Sequence, residues 1–175
     1  RGTSAETVVL LHHSDVVSTE DYRGYAPLAT DPEALREALL KEPEILSPEA
    51  QTDLLAGEFI FAHGLCDMKG GGAIQMALME RFSRRADFPG TVINVAVPDE
   101  ENLSAGMRAA ASLLDELQKK HGFSYRLLIN CEPHERAKPD TGVFSTGSIG
   151  KLLPFVYVRG VMAHAGKVFE GLNPI

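Results

Sequence analysis

Cysteine is scarce in this sequence: Cys66 and Cys131 are the only two. Two thiols so placed supply neither a disulfide framework nor a thiolate-only metal site, and a reducing cytoplasm is the default expectation. Long apolar runs are missing as well. None approaches the ~18 residues that span a bilayer, so no membrane partner is expected. Basic excess is absent: 17 Lys and Arg stand against 24 Asp and Glu, a formal net charge of -7. That balance argues against nucleic acid as a partner. A phosphate-binding fingerprint is incomplete, because no G-x-G-x-x-G follows a strand-like run and no Lys-Ser/Thr pair closes a P-loop. The chain opens Arg1-Gly2-Thr3 without an initiator Met and stops at Leu172-Asn173-Pro174-Ile175 soon after a strand-like run. It reads as part of a longer polypeptide, which leaves an upstream segment and export open.

What is present is a globular pattern. An apolar fraction of 44% over 175 residues supports a real core and speaks against disorder. Three β-rich apolar runs, Thr7–Leu11, Thr91–Val97 and Leu127–Cys131, read as buried parallel strands. Asp31-Pro32-Glu33 opens a helix to about Lys41, and Ser47-Pro48-Glu49 opens a shorter one. Each has a capping side chain, Pro at the first helical position and an acid in the first turn. Glu58–Ala62 reads as a short strand or extended segment. Gly70-Gly71-Gly72 leads into a helix over Ala73–Arg84, with Ile74, Ala77, Leu78 and Phe82 at helical spacing and Arg81, Arg84 and Arg85 toward water. A further helix runs from about Ser104 to Lys120 and is stopped by His121-Gly122. Alternating strands and helices imply an α/β fold with a mostly parallel sheet flanked by helices. Pro154–Arg159 alternates like a strand of a different sheet. The expected domains are 1–147 and 148–175, with the boundary near Gly147.

Each apolar run ends in acidic or histidine residues. His12-His13-Ser14-Asp15 follows the first, Pro98-Asp99-Glu100-Glu101 the second and Glu132-Pro133 the third. Ligands of open α/β sheets bind beyond the carboxyl ends of the strands, so the clusters are expected along one sheet edge. His13 is either a metal ligand oriented by Asp15 or part of a capped turn. His12 points to the other side of the strand and is the weaker candidate. Asp67 sits in the glycine-rich turn before a helix. That turn fits close backbone approach to a ligand, a phosphate cradle, or an ordinary tight turn with a solvated acid. Glu100 and Glu101 point in opposite directions in extended backbone, so one can bind metal while the other faces substrate. One His with several carboxylates suits zinc, cobalt or manganese, and a metal pair ~3.5–4 Å apart is a hydrolytic arrangement.

His13-Ser14-Asp15-Val16-Val17, Asp67-Met68-Lys69-Gly70-Gly71, Asp99-Glu100-Glu101 and Glu132-Pro133 occur in the order seen in the co-catalytic zinc aminoacylase/carboxypeptidase family, which the chain resembles. That family includes acetylornithine deacetylase and succinyl-diaminopimelate desuccinylase. Gly160–Gly166 and Gly171–Pro174 resemble the start of its second, α+β dimerisation domain. Val97–Asn102, Thr146–Pro154 and a roughly 20-residue excess between His13 and Asp67 are similar to the arginine-utilisation (RocB) branch. The resemblance implies a zinc exopeptidase-like catalytic domain that hydrolyses the amide bond of an N-acyl amino acid or small peptide. It implies one zinc on His13, Asp67 and Glu132, with Asp67 bridging to a second zinc also held by Glu101. It gives Glu100 the general-base role, Asp15 the orientation of His13, and His164 a carbonyl-polarising role across a homodimer. It also makes Asp67–Met68 the expected place of a cis peptide.

The sequence departs from the family in two places. The family's second zinc takes a further His near the C-terminus of the full protein, and none of the six His residues fills that place. The Ala62-His63-Gly64 turn carries His where the family has Arg, and His63 is expected as a packed or solvated turn residue rather than a stray ligand. Cys66 and Cys131 are expected as buried small residues. Two rivals stand beside the hydrolase: a non-catalytic relative, and a phosphate- or nucleotide-binding α/β domain.

Overall fold

The computed structural model describes residues 2–134, 140–147 and 154–172. The chain divides into two compact units, Arg1–Glu135 and Arg136–Ile175. The expected domain boundary runs into residues 148–153, which lie outside the described residues, as do Asn173 and Pro174.

The first unit is an α/β layer structure. Strand β1 spans Glu6–His13, β2 spans Thr91–Val97 and β3 spans Ser124–Asn130. They form one sheet in the order β2-β1-β3, and β1 is parallel to both neighbours. The centre strand is the buried one, with Val9 at 2% and Leu10 at 4% exposure. The third run was expected to be buried too, yet Leu127 is 53% exposed and Leu128 and Ile129 are also exposed. The reason is cover: β2 and β3 are both edge strands, but the helices pack mainly against β1 and β2 and leave the faces of β3 open.

Capping residues set the helix ends. Helix α1 spans Pro32–Leu39, and Asp31 Oδ1 accepts a hydrogen bond from Ala34 N at 3.0 Å. Helix α2 spans Pro48–Ala56, and Ser47 Oγ accepts from Ala50 N at 3.3 Å. Leu35, Leu39 and Leu54 form a small core between these helices, with Tyr22, Tyr25, Leu46 and Phe61 against it. Tyr22 and Tyr25 come from a stretch of tight helical turns at Glu20–Leu28. Glu58–Ala62 pairs with no strand and is irregular backbone. Helix α4 spans Ala105–His121 and ends at Gly122 in the left-handed conformation, φ 68°.

Helix α3, Gly70–Ser83, starts three residues before the expected Ala73. The three glycines form its first turn and press it onto the sheet. A Cβ on Gly71 would lie 2.5 Å from the Cys131 carbonyl oxygen, and one on Gly72 would lie 2.9 Å from the His12 ring. The buried face is Gly71, Gly72 and Gln75, whereas Ile74 is 61% exposed. The helix is therefore rotated from the face its apolar spacing suggested. The cause is polar: Gln75 Nε2 donates to the Leu11 carbonyl at 2.7 Å, and Gln75 Oε1 meets His12 Nδ1 at 2.8 Å. The glycines thus bring backbone close to the protein's own sheet.

In the second unit, Val161 and Leu172 form an antiparallel bridge around a tight helical turn at Ala165–Glu170. Pro154–Arg159, expected as a strand, has no strand partner among the described residues. No helix among the described residues is long and apolar enough to cross a membrane.

Gly71→Ala forces a methyl into backbone at Cys131 and is expected to destabilise the chain by about 1–3 kcal/mol. Gly24→Ala, where a Cβ meets nothing within 4 Å, is expected to stay within about 0.5 kcal/mol. Denaturant midpoints of the two variants check this.

Candidate metal centre

The sheet register brings the three strand ends together. His13 closes β1 opposite Val97, so Asp99–Glu101 lie just beyond it. Leu11 pairs with Asn130, so Glu132 falls level with His13. The turn 64–69 supplies the fourth side chain. It is closed by Lys69 N donating to Gly64 O at 3.0 Å, with Gly64 at φ 72° and the Asp67–Met68 peptide cis. Met68 is buried beneath the turn and its sulfur accepts from His13 N at 3.3 Å. The wide turn sends Cys66 outward; it is exposed and Cys131 is half-buried, which corrects the expectation that both are buried.

His13 is 2% exposed and held at both ring nitrogens. Nδ1 donates to the Asp15 backbone carbonyl at 3.0 Å, which leaves Nε2 as the nitrogen for a metal. Nε2 lies 2.8 Å from Asp67 Oδ1 and 3.8 Å from Glu132 Oε2. Burial by itself depresses the imidazole pKa, but the Asp67 hydrogen bond and the Glu132 charge outweigh it and raise the pKa. A proton on Nε2 thus stands where a cation would. Asp15 accepts from Glu101 N through Oδ2 at 3.2 Å, and its Oδ1 is buried without a hydrogen-bond partner. Burial raises the Asp15 carboxyl, but backbone N–H donors from Glu101 and Glu100 outweigh it and hold the pKa down.

His13, Asp67 and Glu101 each offer an atom within 4.8 Å of the others. Glu132 stands beside this trio, steadied by Asn130 Nδ2 donating to Oε1 at 3.3 Å. Burial first, and then the charge of Asp67, push the Glu101 carboxyl upward. Burial also raises Glu132, with Asp67 and Glu100 adding repulsion. Carboxylates that repel one another around one buried imidazole, with Asp67 open to solvent and Glu101 and Glu132 half-buried, are the donor set of a divalent cation. The residues present therefore fit a metal.

The remaining candidates have other surroundings. Glu100 is half-buried, and its charge reaches both Glu101 and Glu132. Asp99 is a turn residue: at φ 69°, it accepts from Ala105 N at 2.8 Å and starts α4. His12 faces Gln75, away from the cluster. His63 is buried, with Nε2 donating to the Val17 carbonyl at 2.8 Å and its ring edge-on to Tyr22, so it is a packed turn residue as expected. His164 lies in the second unit, exposed, where its Nδ1 accepts from Gly166 N at 3.1 Å. Sequence reading missed Asn130 and Met68. Asn130 was within reach, because it sits two residues before Glu132 and so on the same side of extended backbone. Met68 carried no signal.

Comparison with known proteins points to one family. The model of Peptidase family M20/M25/M40 matches residues 9–143. Uncharacterized protein YqjN of Bacillus subtilis (strain 168) is 38% identical over 170 residues, covering 96% of this chain and 31% of that protein. Protein RocB of the same organism is 33% identical over 176 residues, covering 99% of this chain and 31% of that protein. The chain thus spans under a third of the length of these curated relatives. No solved structure matches it.

The raised carboxyl of Glu101 makes a signed prediction for the metal-free chain. Between its ordinary and raised pKa the unfolded state binds fewer protons than the folded one, so stability falls as pH rises through that window. Glu101→Gln removes this loss. The stability difference between variant and wild type is expected to grow in the variant's favour with pH across the window, read from thermal unfolding in EDTA. Asp15→Asn is expected to weaken divalent-metal affinity about 10–100-fold by loosening His13, as measured by competition with a chromophoric chelator.

Proposed function

This chain belongs to peptidase family M20/M25/M40, a family of metal-dependent hydrolases, and from that premise we propose that it carries the metal-binding part of a zinc-dependent amidohydrolase. The observation that carries the reading is the convergence of His13, Asp67 and Glu101 at the carboxyl ends of the strands. The substrate is an N-acyl amino acid or small peptide. His13, Asp67 and Glu132 hold one metal, and Asp67 and Glu101 contribute to a second. Zinc is the assigned metal, with cobalt or manganese compatible with the same donors. When bound, the metal pair supplies Lewis acidity to the scissile carbonyl and lowers the pKa of water.

The chain's own residues supply the rest. Asp15 keeps the His13 ring oriented through the Nδ1 side. Glu100, beside the trio and outside it, takes a proton from the attacking water and passes it to the leaving amine nitrogen. Residues 148–175 begin a second, dimerisation domain within the whole protein, and His164 polarises the substrate carbonyl of the partner's site in a homodimer. A cytoplasmic setting follows from the cysteine content. A link to arginine metabolism rests on the branch resemblance of Val97–Asn102 and Thr146–Pro154. The phosphate-binding alternative is disfavoured by the use of Gly71 and Gly72 in packing α3 against the sheet.

The test is metal content and hydrolysis in the whole protein. Asp67→Ala is expected to lose bound zinc. Glu100→Ala is expected to keep zinc and lose about 10²–10⁴-fold in turnover of N-acyl amino acids. Full activity in Glu100→Ala would sink the assignment of the base, and zinc binding undiminished in Asp67→Ala would sink the metal site.

A further inference from the structure

A cavity of about 690 Å³ lies in the first unit, outside the acidic cluster, and its size is that of a small-molecule site. Its apolar wall is Leu35 and Leu39 of α1 with Ile45, Ile60 and Phe61. Leu35 and Leu39 are anchored against Leu54 in the small core, so this wall is preformed. Charge enters from the Glu20–Leu28 stretch, through Arg23 and Asp21. Arg23 is matched with no carboxylate among the described residues, although Asp21 is two residues away on the same wall. A non-glycine residue at φ 50°, ψ -122° is held in a disfavoured backbone conformation, of the kind found where a side chain serves a ligand. Leu65 and Cys66 complete the wall, and Asp67 follows these two residues in the chain.

We infer that this cavity binds a small monocarboxylate with an apolar tail. The guanidinium of Arg23 is permanently charged and takes the carboxylate, and the tail lies along Leu35, Leu39 and Phe61. A second carboxylate at the far end of the tail would meet only the apolar side chains of Leu35, Leu39 and Phe61, so dicarboxylates are selected against. Resting on the hydrolase reading above, the occupant is the substrate, which places an apolar side chain and a single free carboxylate on this side of Asp67.

Calorimetric titration of the chain in EDTA, with octanoate, octanamide and octanedioate as probes, tests the inference without metal. Octanoate is expected to bind about tenfold more tightly than octanamide and more tightly than octanedioate. Arg23→Gln is expected to erase the preference over octanamide. Ile60→Glu, at a position 72% exposed and so tolerant of the change, is expected to weaken octanoate while unfolding remains unchanged. No octanoate binding, equal binding of octanoate and octanamide, or a preference that survives Arg23→Gln would each overturn the proposal. These outcomes are separable from failure of the hydrolase reading. Zinc loss in Asp67→Ala bears on the metal site alone, and octanoate binding in EDTA bears on the cavity alone.

Discussion

Parallel pairing of β1 with β2 on one side and β3 on the other sets the position of every group in the candidate site except Asp67, which the turn 64–69 supplies. Because all three strands run the same way, their carboxyl ends lie at one edge, and each delivers its polar sequel there. A one-residue slip of β1 would turn His13 away and bring His12 to the cluster in its place. The register is guarded from the helix side. Gln75 reaches the Leu11 carbonyl and the His12 ring, while Gly71 and Gly72 leave room for no other seating of α3. The polar bond and the close approach together distinguish two adjacent histidines, one for packing and one for the site.

The raised carboxyls of that edge run against the stability of the metal-free fold. Glu101 and Glu132 are raised by burial and by their acidic neighbours, whereas the His13 imidazolium is favoured by the Asp67 hydrogen bond and the Glu132 charge. Shifted groups gathered in this way are common at functional sites. Asp15 differs from its neighbours. Backbone donors hold it ionised, so it remains a fixed anion next to His13 whatever occupies the centre.

Much of this was legible in residue order alone. The strands, the Asp31 and Ser47 caps, the stop at Gly122 and the meeting of the strand-end clusters at one sheet edge follow from period, capping chemistry and the rule for open parallel sheets, whereas the choice of Asp67, Glu101 and Glu132 beside His13 came from the family resemblance. The face of α3 was not legible. Apolar spacing pointed to Ile74, and the helix instead buries Gln75, because a side-chain amide that satisfies backbone carbonyls outweighs one more exposed isoleucine. The exposure of β3 was hidden for a related reason: an apolar run says that a strand belongs in a sheet, and says nothing of whether helices cover its faces.

Sequence by itself determined which residue types stand at the strand ends and in which order, and hence the family. Those properties are local, carried by residues a few positions apart. Tertiary structure alone decided which histidine faces the carboxylates, that Cys66 is exposed, that Asp99 starts a helix, and that Arg23 and the leucines of α1 line one cavity. Each of these depends on groups tens of residues apart being brought into contact, and such contacts are set by packing, which no local pattern encodes.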